Sequence, residues 1–163
     1  MKVTTKTGDK GKTLYKTQNI SKGDERIEFL GSIDELQVAL GNISDVNEEI
    51  KMNIQTIQKK IFNIYSNQVE TEDIEEIENW QEELMKSKHI TYDWNLTTQK
   101  TFPIDFARVT ARKVERNYSR LENLEEINEN VQAYLNRLSD FLWVLGRFVE
   151  SVPKDNDKKN LIT

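Results

Sequence analysis

The N-terminal segment combines glycine, lysine and threonine in a way that suits polyphosphate binding. Residues 5–13 contain two glycines, three threonines and three lysines. Glycine lets the backbone curl so that successive N–H groups point the same way, while lysine and hydroxyl groups add charge and hydrogen bonds. The run predicts an irregular anion-binding loop rather than a helix or an ordinary strand. A frayed basic N-terminus is the alternative that this segment alone leaves open.

The triplet Gly11-Lys12-Thr13 also invites comparison with a P-loop. That motif would require a glycine where Lys6 stands. It also requires an apolar strand before it and a helix directly after it, and the sequence around residues 5–13 suggests neither. We therefore reject a P-loop.

Two later segments carry rows of polar residues at helical spacing. The first row comprises Arg108, Arg112, Glu115 and Arg116, and the second comprises Asn136, Asp140, Trp143 and Arg147. Residues three and four apart share one face of a helix. Arginine offers a planar fork that grips phosphate or carboxylate oxygens with two hydrogen bonds, which lysine cannot do. The rows predict anion-binding faces, with solvated surfaces bearing weak ion pairs as the alternative.

Asp34 lies beside apolar residues of a predicted first helix. A carboxylate near a core needs a cationic partner, and the arginine row is the natural source of one. An exposed helix position is the alternative.

Composition excludes several classes of site. The 163 residues include no cysteine, so disulfides, thiolate metal sites and thiol catalysis are excluded. A single histidine, His89, makes a histidine metal cage untenable. The net charge of −5 argues against general nucleic-acid binding, whereas the lysine-rich N-terminus favours a small anionic ligand. Because no apolar run approaches a membrane span and no signal-peptide pattern opens the chain, we expect a cytoplasmic protein.

Apolar periodicity predicts the elements that position these groups. Apolar residues recur every three or four positions over residues 24–45, 50–64, 74–84, 107–121 and 131–149, and Pro103 suits a first helical turn. No strand pair is predicted. The pattern indicates an all-α fold, an antiparallel bundle of four or five helices.

Four segments, taken together and in this order, resemble the PduO-type ATP:cob(I)alamin adenosyltransferases. They are residues 5–13, residues 26–36, residues 107–116 and residues 134–141. The resemblance runs from about residue 3 to residue 150, and four motifs at matching spacing make it specific. It implies a homotrimer of antiparallel five-helix bundles, each with an extended N-terminal nucleotide-binding loop and with active sites between neighbouring subunits.

The resemblance also implies a single domain spanning residues 1–163. Residues 1–23 would form the glycine-rich ATP loop, residues 24–150 the helical bundle and residues 151–163 a flexible tail. The substrates would be ATP and cob(I)alamin or a related corrinoid, with Mg²⁺ carried mainly by the ATP phosphates. A reductase and a cobalamin-dependent acceptor enzyme would be further partners.

Site residues are carried over from the matching motifs. One subunit would contact ATP through Thr5, Lys6, Thr7, Gly8, Asp9, Gly11, Lys12, Thr13 and Lys22. The adjoining subunit would contribute Arg112, Lys113, Glu115, Arg116 and Asn136. Asp34 and Arg108 would form a salt bridge at the subunit interface, and Asp34, Arg108 and Arg112 are the expected catalytic residues.

The implied reaction is an attack of Co(I) on C5′ of the ATP ribose, which expels triphosphate. Such a reaction needs positioning and charge compensation rather than acid–base groups, and this agrees with the scarcity of histidine. A non-catalytic ATP- or corrinoid-binding relative that senses or delivers the cofactor is the alternative function. A helical scaffold whose apolar stripes serve only trimer packing is a third.

The sequence departs from the family pattern near the corrin. The family usually has a Pro-Gly-Gly or Ser-Gly-Gly turn before the arginine helix and a histidine just before its first arginine. Here the corresponding stretch is residues 94–98, and Asp105-Phe106 precede Ala107. The second arginine of the family's pair is Lys113. Aromatic residues that could form the corrin wall instead are Tyr92, Trp94 and Phe102.

Overall fold

Five α-helices and one β-hairpin form the part of the chain that the structure, a computed structural model, describes: residues 6, 8–86, 90, 93 and 96–152. The elements follow the order β1 (Lys12–Tyr15), β2 (Gln18–Ser21), α1 (Glu25–Gly41), α2 (Glu48–Tyr65), α3 (Thr71–Met85), α4 (Phe102–Ser119) and α5 (Glu129–Ser151). A 3₁₀ turn (Arg120–Asn123) follows α4. The predicted all-α bundle of five helices is confirmed.

Local sequence signals mark the helix starts, and asparagine side chains cap two of them. The Asn47 side chain accepts the Ile50 N–H at 2.8 Å at the start of α2, and Asn128 accepts the Asn130 N–H at 2.9 Å at the start of α5. Pro103 occupies the first turn of α4, where its missing N–H costs no helical hydrogen bond. The first helix ends at Gly41, four residues before the predicted position 45, since the polar residues that follow favour turns.

The hairpin contradicts the expectation that no strands would form. Strands β1 and β2 pair antiparallel with Thr13 opposite Ile20, and the turn between them is Lys16-Thr17, with Lys16 at φ 50°. Two-residue hairpin turns usually contain Asn-Gly or Asp-Gly, and the turn here contains neither. Four-residue strands also carry too little alternation to be recognised from sequence.

The core lies where α4 packs between α1 and α5, with α3 against α5 and α2 against α1. The apolar stripe predicted for the last helix is buried at every position: Val131, Leu135, Leu138, Leu142, Leu145 and Val149. This stripe fixes the rotation of α5 and leaves Asp140 exposed and Asn136 half-buried. Arg147, predicted to share an anion-binding face with them, is instead buried and pairs with Glu150 at 3.0 Å. Within the described residues, no helix is both long and apolar enough to cross a membrane.

Candidate functional site

The glycine-rich loop folds back onto the end of the hairpin. The Gly11 N–H donates to the Gly8 carbonyl at 3.2 Å, and the Lys22 N–H donates to the Gly11 carbonyl at 2.9 Å. Gly11 has φ +71°, a conformation that side chains other than glycine rarely adopt. A Cβ built on Gly8 would lie 2.8 Å from Lys22 Nζ. The fold thus gathers Gly8, Gly11 and Lys22, all predicted as ATP-binding residues.

The other predicted loop residues occupy more open positions. Lys6, Asp9 and Lys12 are exposed, and Thr13 is half-buried within β1. Thr5 and Thr7 lie outside the described residues.

An ion pair at the start of α1 connects this helix to the hairpin. The Arg26 guanidinium donates from Nε and Nη2 to the two Asp24 carboxylate oxygens, both at 2.8 Å. Asp24 also caps α1 by accepting the Arg26 backbone N–H at 3.0 Å. These bonds, the side-chain pair foremost, lower the pKa of Asp24 to about 2. Arg26 lies over the Tyr15 ring, 5.5 Å from its centroid, and so links the hairpin to the helix.

A second ion pair holds the tip of the hairpin. Lys16 Nζ lies 2.7 Å from Glu125 Oε2, in the connection between α4 and α5. Under the hairpin is a cavity of about 500 Å³, and Tyr15, Tyr65 and Tyr118 are among its lining residues. The hairpin therefore lies across this end of the bundle rather than extending freely from it.

A polar groove of about 800 Å³ lies between α4 and α5. Asn136 Nδ2 donates to Glu115 Oε1 at 3.3 Å, and Gln132 Nε2 donates to the same oxygen at 3.4 Å. Arg137 Nη1 donates to Asn136 Oδ1 at 2.9 Å. Glu115 and Asn136, predicted as parts of one site, are thus adjacent. Gln132 was missed, although its spacing of four from Asn136 places it on the same helical face.

The predicted arginines and lysine of α4 point in different directions. Arg112 and Arg116 are exposed, and no ion pair of either is found in the described part of the chain. Lys113 contacts α1 instead, with Nζ 3.0 Å from Glu35 Oε2 and 3.4 Å from Glu28 Oε1. The hydrogen bond to Glu35, more than the contact with Glu28, raises the pKa of Lys113. Lys113 is therefore committed to helix packing, whereas Arg112 and Arg116 are available to a ligand.

Asp34 and Arg108 do not pair within the chain. Asp34 is exposed on α1, so it is not the near-core carboxylate that its apolar neighbours suggested. The Arg108 side chain, 18% exposed, has Nε 3.6 Å from Oδ1 of Asp105. A salt bridge between Asp34 and the Arg108 of another subunit stays a prediction.

Exposed aromatic residues lie at the start of α4. Phe102 and Phe106 stack with ring centroids 5.9 Å apart and an interplanar angle of 15°, and both are substantially exposed. Phe102 was predicted as a possible wall for a corrin. Tyr92 and Trp94, the other two aromatic residues named for that role, lie outside the described residues, as does His89.

The predicted site residues fall into two separate groups. Among the described residues, no hydrogen bond or ion pair joins the loop at residues 8–22 to Arg112, Glu115, Arg116 or Asn136. Unlike a P-loop or a dinucleotide-binding turn, the glycine-rich segment leads into a hairpin and not directly into a helix. Fold and site thus define a helical-bundle protein with an N-terminal glycine-rich loop and an arginine-bearing helix.

Comparisons with known proteins identify the family. The family model for cobalamin adenosyltransferase matches residues 3–149, and the chain belongs to this family. The corrinoid adenosyltransferase of Bacillus subtilis is 30% identical, covering 93% of this chain and 88% of its own length. The corrinoid adenosyltransferase PduO of Salmonella typhimurium is 27% identical over 99% of this chain, which spans 53% of that longer protein.

A solved structure agrees with the fold. A variant PduO-type ATP:corrinoid adenosyltransferase from Lactobacillus reuteri, complexed with cobalamin and ATP, superposes with a TM-score of 0.82 and 26% identity. The superposition covers 93% of this chain and 97% of that one. The likeness therefore extends over the bundle and is not confined to one motif.

Proposed function

We propose that this protein transfers the 5′-deoxyadenosyl group of ATP to cob(I)alamin or a related corrinoid, giving adenosylcobalamin and triphosphate. The observation that carries the proposal is the gathering of Gly8, Gly11 and Lys22 into one loop in a member of this family. The Lactobacillus reuteri relative solved with cobalamin and ATP supports the same pair of substrates.

The reaction balances without proton transfer. The electron pair of Co(I) forms the bond from cobalt to C5′, and the bond from C5′ to the triphosphate oxygen breaks. The bonding pair leaves with triphosphate, so the cobalt is formally oxidised to Co(III). The protein's tasks are to hold C5′ in line with the cobalt and to compensate the charge that develops on the leaving group.

The anion loop supplies the charge compensation. The Lys22 ammonium lies over Gly8, where it can follow the leaving triphosphate. Lys12, the first residue of β1, is exposed and offers a second positive charge. Mg²⁺ in this proposal is bound by the phosphates. The described residues offer no group of three acidic or histidine side chains suited to holding a metal ion.

A homotrimer would bring the two halves of the site together. Arg112 and Arg116 are exposed, as a ligand shared between subunits requires, and Asp34 is exposed as an interface salt bridge requires. In this arrangement the loop of one subunit closes on ATP held by the α4–α5 groove of its neighbour. Phe102 and Phe106 then offer an apolar surface to the corrin. The proposal keeps the reaction in the cytoplasm, with a reductase supplying Co(I) and a cobalamin-dependent enzyme accepting the product.

Anaerobic turnover tests the proposal. Purified protein, ATP with Mg²⁺ and chemically reduced cob(I)alamin should yield the visible spectrum of adenosylcobalamin, with triphosphate as the phosphate product. Arg112→Ala should abolish most of this activity, whereas Asp45→Asn, a charge loss at an exposed position after α1, should not change it. Tight ATP binding without adenosylcobalamin under strongly reducing conditions would instead favour a protein that senses or delivers the cofactor.

A further inference from the structure

Two buried polar atoms without partners lie one helical turn apart in α4. Asp105 Oδ2 and Arg108 Nε are both inaccessible to solvent and make no hydrogen bond. One is an acceptor and the other a donor, and Nε lies 3.6 Å from the other oxygen of the same carboxylate. Buried polar groups are nearly always satisfied in native proteins, so such a pair calls for a functional explanation.

The surroundings hold the Asp105 carboxylate in place. The side chain is 12% exposed and belongs to the first turn of α4, where the helix dipole favours a negative charge. On the side of α5, a Cβ built on Gly146 would lie 4.0 Å from Asp105 Oδ1, so the carboxylate is seated closely against that helix. A short side chain in such a seat has few alternative rotamers.

Arg108 is long, and the Asp105 carboxylate is its one ion-pair partner among the described residues. Its Nε is buried, so the exposed 18% of the side chain lies elsewhere along it. A carboxylate that takes a single hydrogen bond, from Nε–H, leaves the N–H groups of the two terminal nitrogens available to a second acceptor.

We infer that Asp105 is a positioning residue for Arg108: a shift of a few tenths of an ångström, about the excess over hydrogen-bond length, turns the 3.6 Å contact into a hydrogen bond from Nε–H, and this bond aims the terminal nitrogens at the acceptor across the subunit interface. The inference rests on the proposed function only for the claim that Arg108 acts in the site. Asp105 itself touches neither substrate. It stands in the segment where this chain lacks the histidine usual in the family. The positioning of Arg108 by an aspartate is therefore a feature of this sequence and not of the family pattern.

Nuclear magnetic resonance tests the contact without turnover. In ¹⁵N-labelled protein, the Arg108 Nε–H resonance is identified as the one that Arg108→Lys removes. We expect slow exchange of this proton with water, and Asp105→Asn should accelerate it by roughly tenfold or more. Asp45→Asn should leave it unchanged. A resonance missing from the wild type, or the same exchange rate in Asp105→Asn, would overturn the inference.

A double-mutant cycle tests the consequence. Asp105→Asn should lower kcat/KM or ATP affinity by roughly tenfold when Arg108 is present, and by less than about twofold in the Arg108→Ala background. Asp105→Glu should recover part of the loss. An equal factor in both backgrounds would mean that Asp105 acts independently of Arg108. ATP affinity, measured by calorimetry, serves wherever turnover is too slow.

Two controls complete the design. Circular dichroism establishes that each variant folds, and Asp105→His, neutral near pH 8, replaces the asparagine variant should that one unfold. Wild-type turnover decides the proposed function separately. An inactive wild type with a protected Arg108 Nε–H would refute the proposed function and support the contact with Asp105. An active wild type with an unprotected proton would support the function and refute the contact.

Discussion

The Lys22 ammonium lies directly over Gly8, where a Cβ would approach Nζ to 2.8 Å. The glycine thus determines where the lysine charge sits, although the two residues are separated by the whole hairpin. The atom that a side chain at position 8 would meet is the free end of a flexible chain, so the lysine can move away at little cost.

Gly8→Ala should therefore impair function while leaving stability almost unchanged. We expect the KM for ATP to rise roughly tenfold, the size of one charge-assisted hydrogen bond, because Lys22 no longer reaches the phosphates. Steady-state kinetics and thermal unfolding measure the two quantities. Gly23→Ala is the matched control in the same segment, since its Cβ would meet only Ser21 Oγ at 3.6 Å. A KM unchanged by Gly8→Ala would show that the position of Lys22 does not matter for ATP.

Reversing one charge of the Lys16–Glu125 ion pair at the hairpin tip should impair ATP binding, and reversing both charges should restore it. Lys16→Glu and Glu125→Lys should each raise the KM for ATP by up to about fivefold, because like charges then oppose each other where the hairpin meets the bundle. The double variant should recover most of the loss. Added salt should reduce the difference, since Lys16 is largely exposed. If the double variant were as impaired as the worse single one, the contact would not position the loop.

The Asp24–Arg26 pair predicts a pH dependence of stability. The pKa of Asp24 is lowered to about 2, with the Arg26 side chain as the main cause. A carboxyl with a depressed folded-state pKa stabilises the fold above its unfolded pKa, near 4, and loses that contribution as pH falls towards 2. The free energy of unfolding of the wild type should thus exceed that of Asp24→Asn by a constant amount above about pH 5. Urea unfolding at several pH values should show this gap closing between about pH 4 and pH 2.

A charge reversal across the proposed interface tests assembly. Asp34→Arg alone should weaken trimer formation by tenfold or more, because an exposed anion becomes a cation facing Arg108 of the neighbour. Combining it with Arg108→Asp should recover assembly in part. Sedimentation velocity across a concentration series measures both. A trimer that forms equally well in Asp34→Arg would argue against this salt bridge.

The sequence was most informative where packing dictates the pattern. A stripe such as Leu135, Leu138 and Leu142 repeats with the helical period, so it predicted both the existence of α5 and its buried face. It was least informative about which helix a surface charge faces. Lys113 matched an ATP-binding position, yet the acidic residues of α1 hold it, and only tertiary packing brings α1 and α4 together.

The hairpin shows a second limit of the sequence. Strands β1 and β2 gain their stability from pairing with each other and from contacts such as Lys16 with Glu125, more than one hundred residues later. Local propensity contains no record of such contacts. The polar groove was foreseen in part, because Asn136 stood out in a motif while the neutral amide of Gln132 carried no signal of its own.

The connection between α4 and α5 contacts the hairpin and is continuous with two helices that carry predicted site residues. Through Glu125 it holds the hairpin of its own chain, and it joins the two helices that carry Glu115 and Asn136. In the proposed trimer, the hairpin would cover one active site and those helices would line the next. A single short connection would then transmit movement from each site to its neighbour around the ring. Nucleotide bound at one site would alter affinity at the following one, so occupancy would become a cooperative property of the assembly.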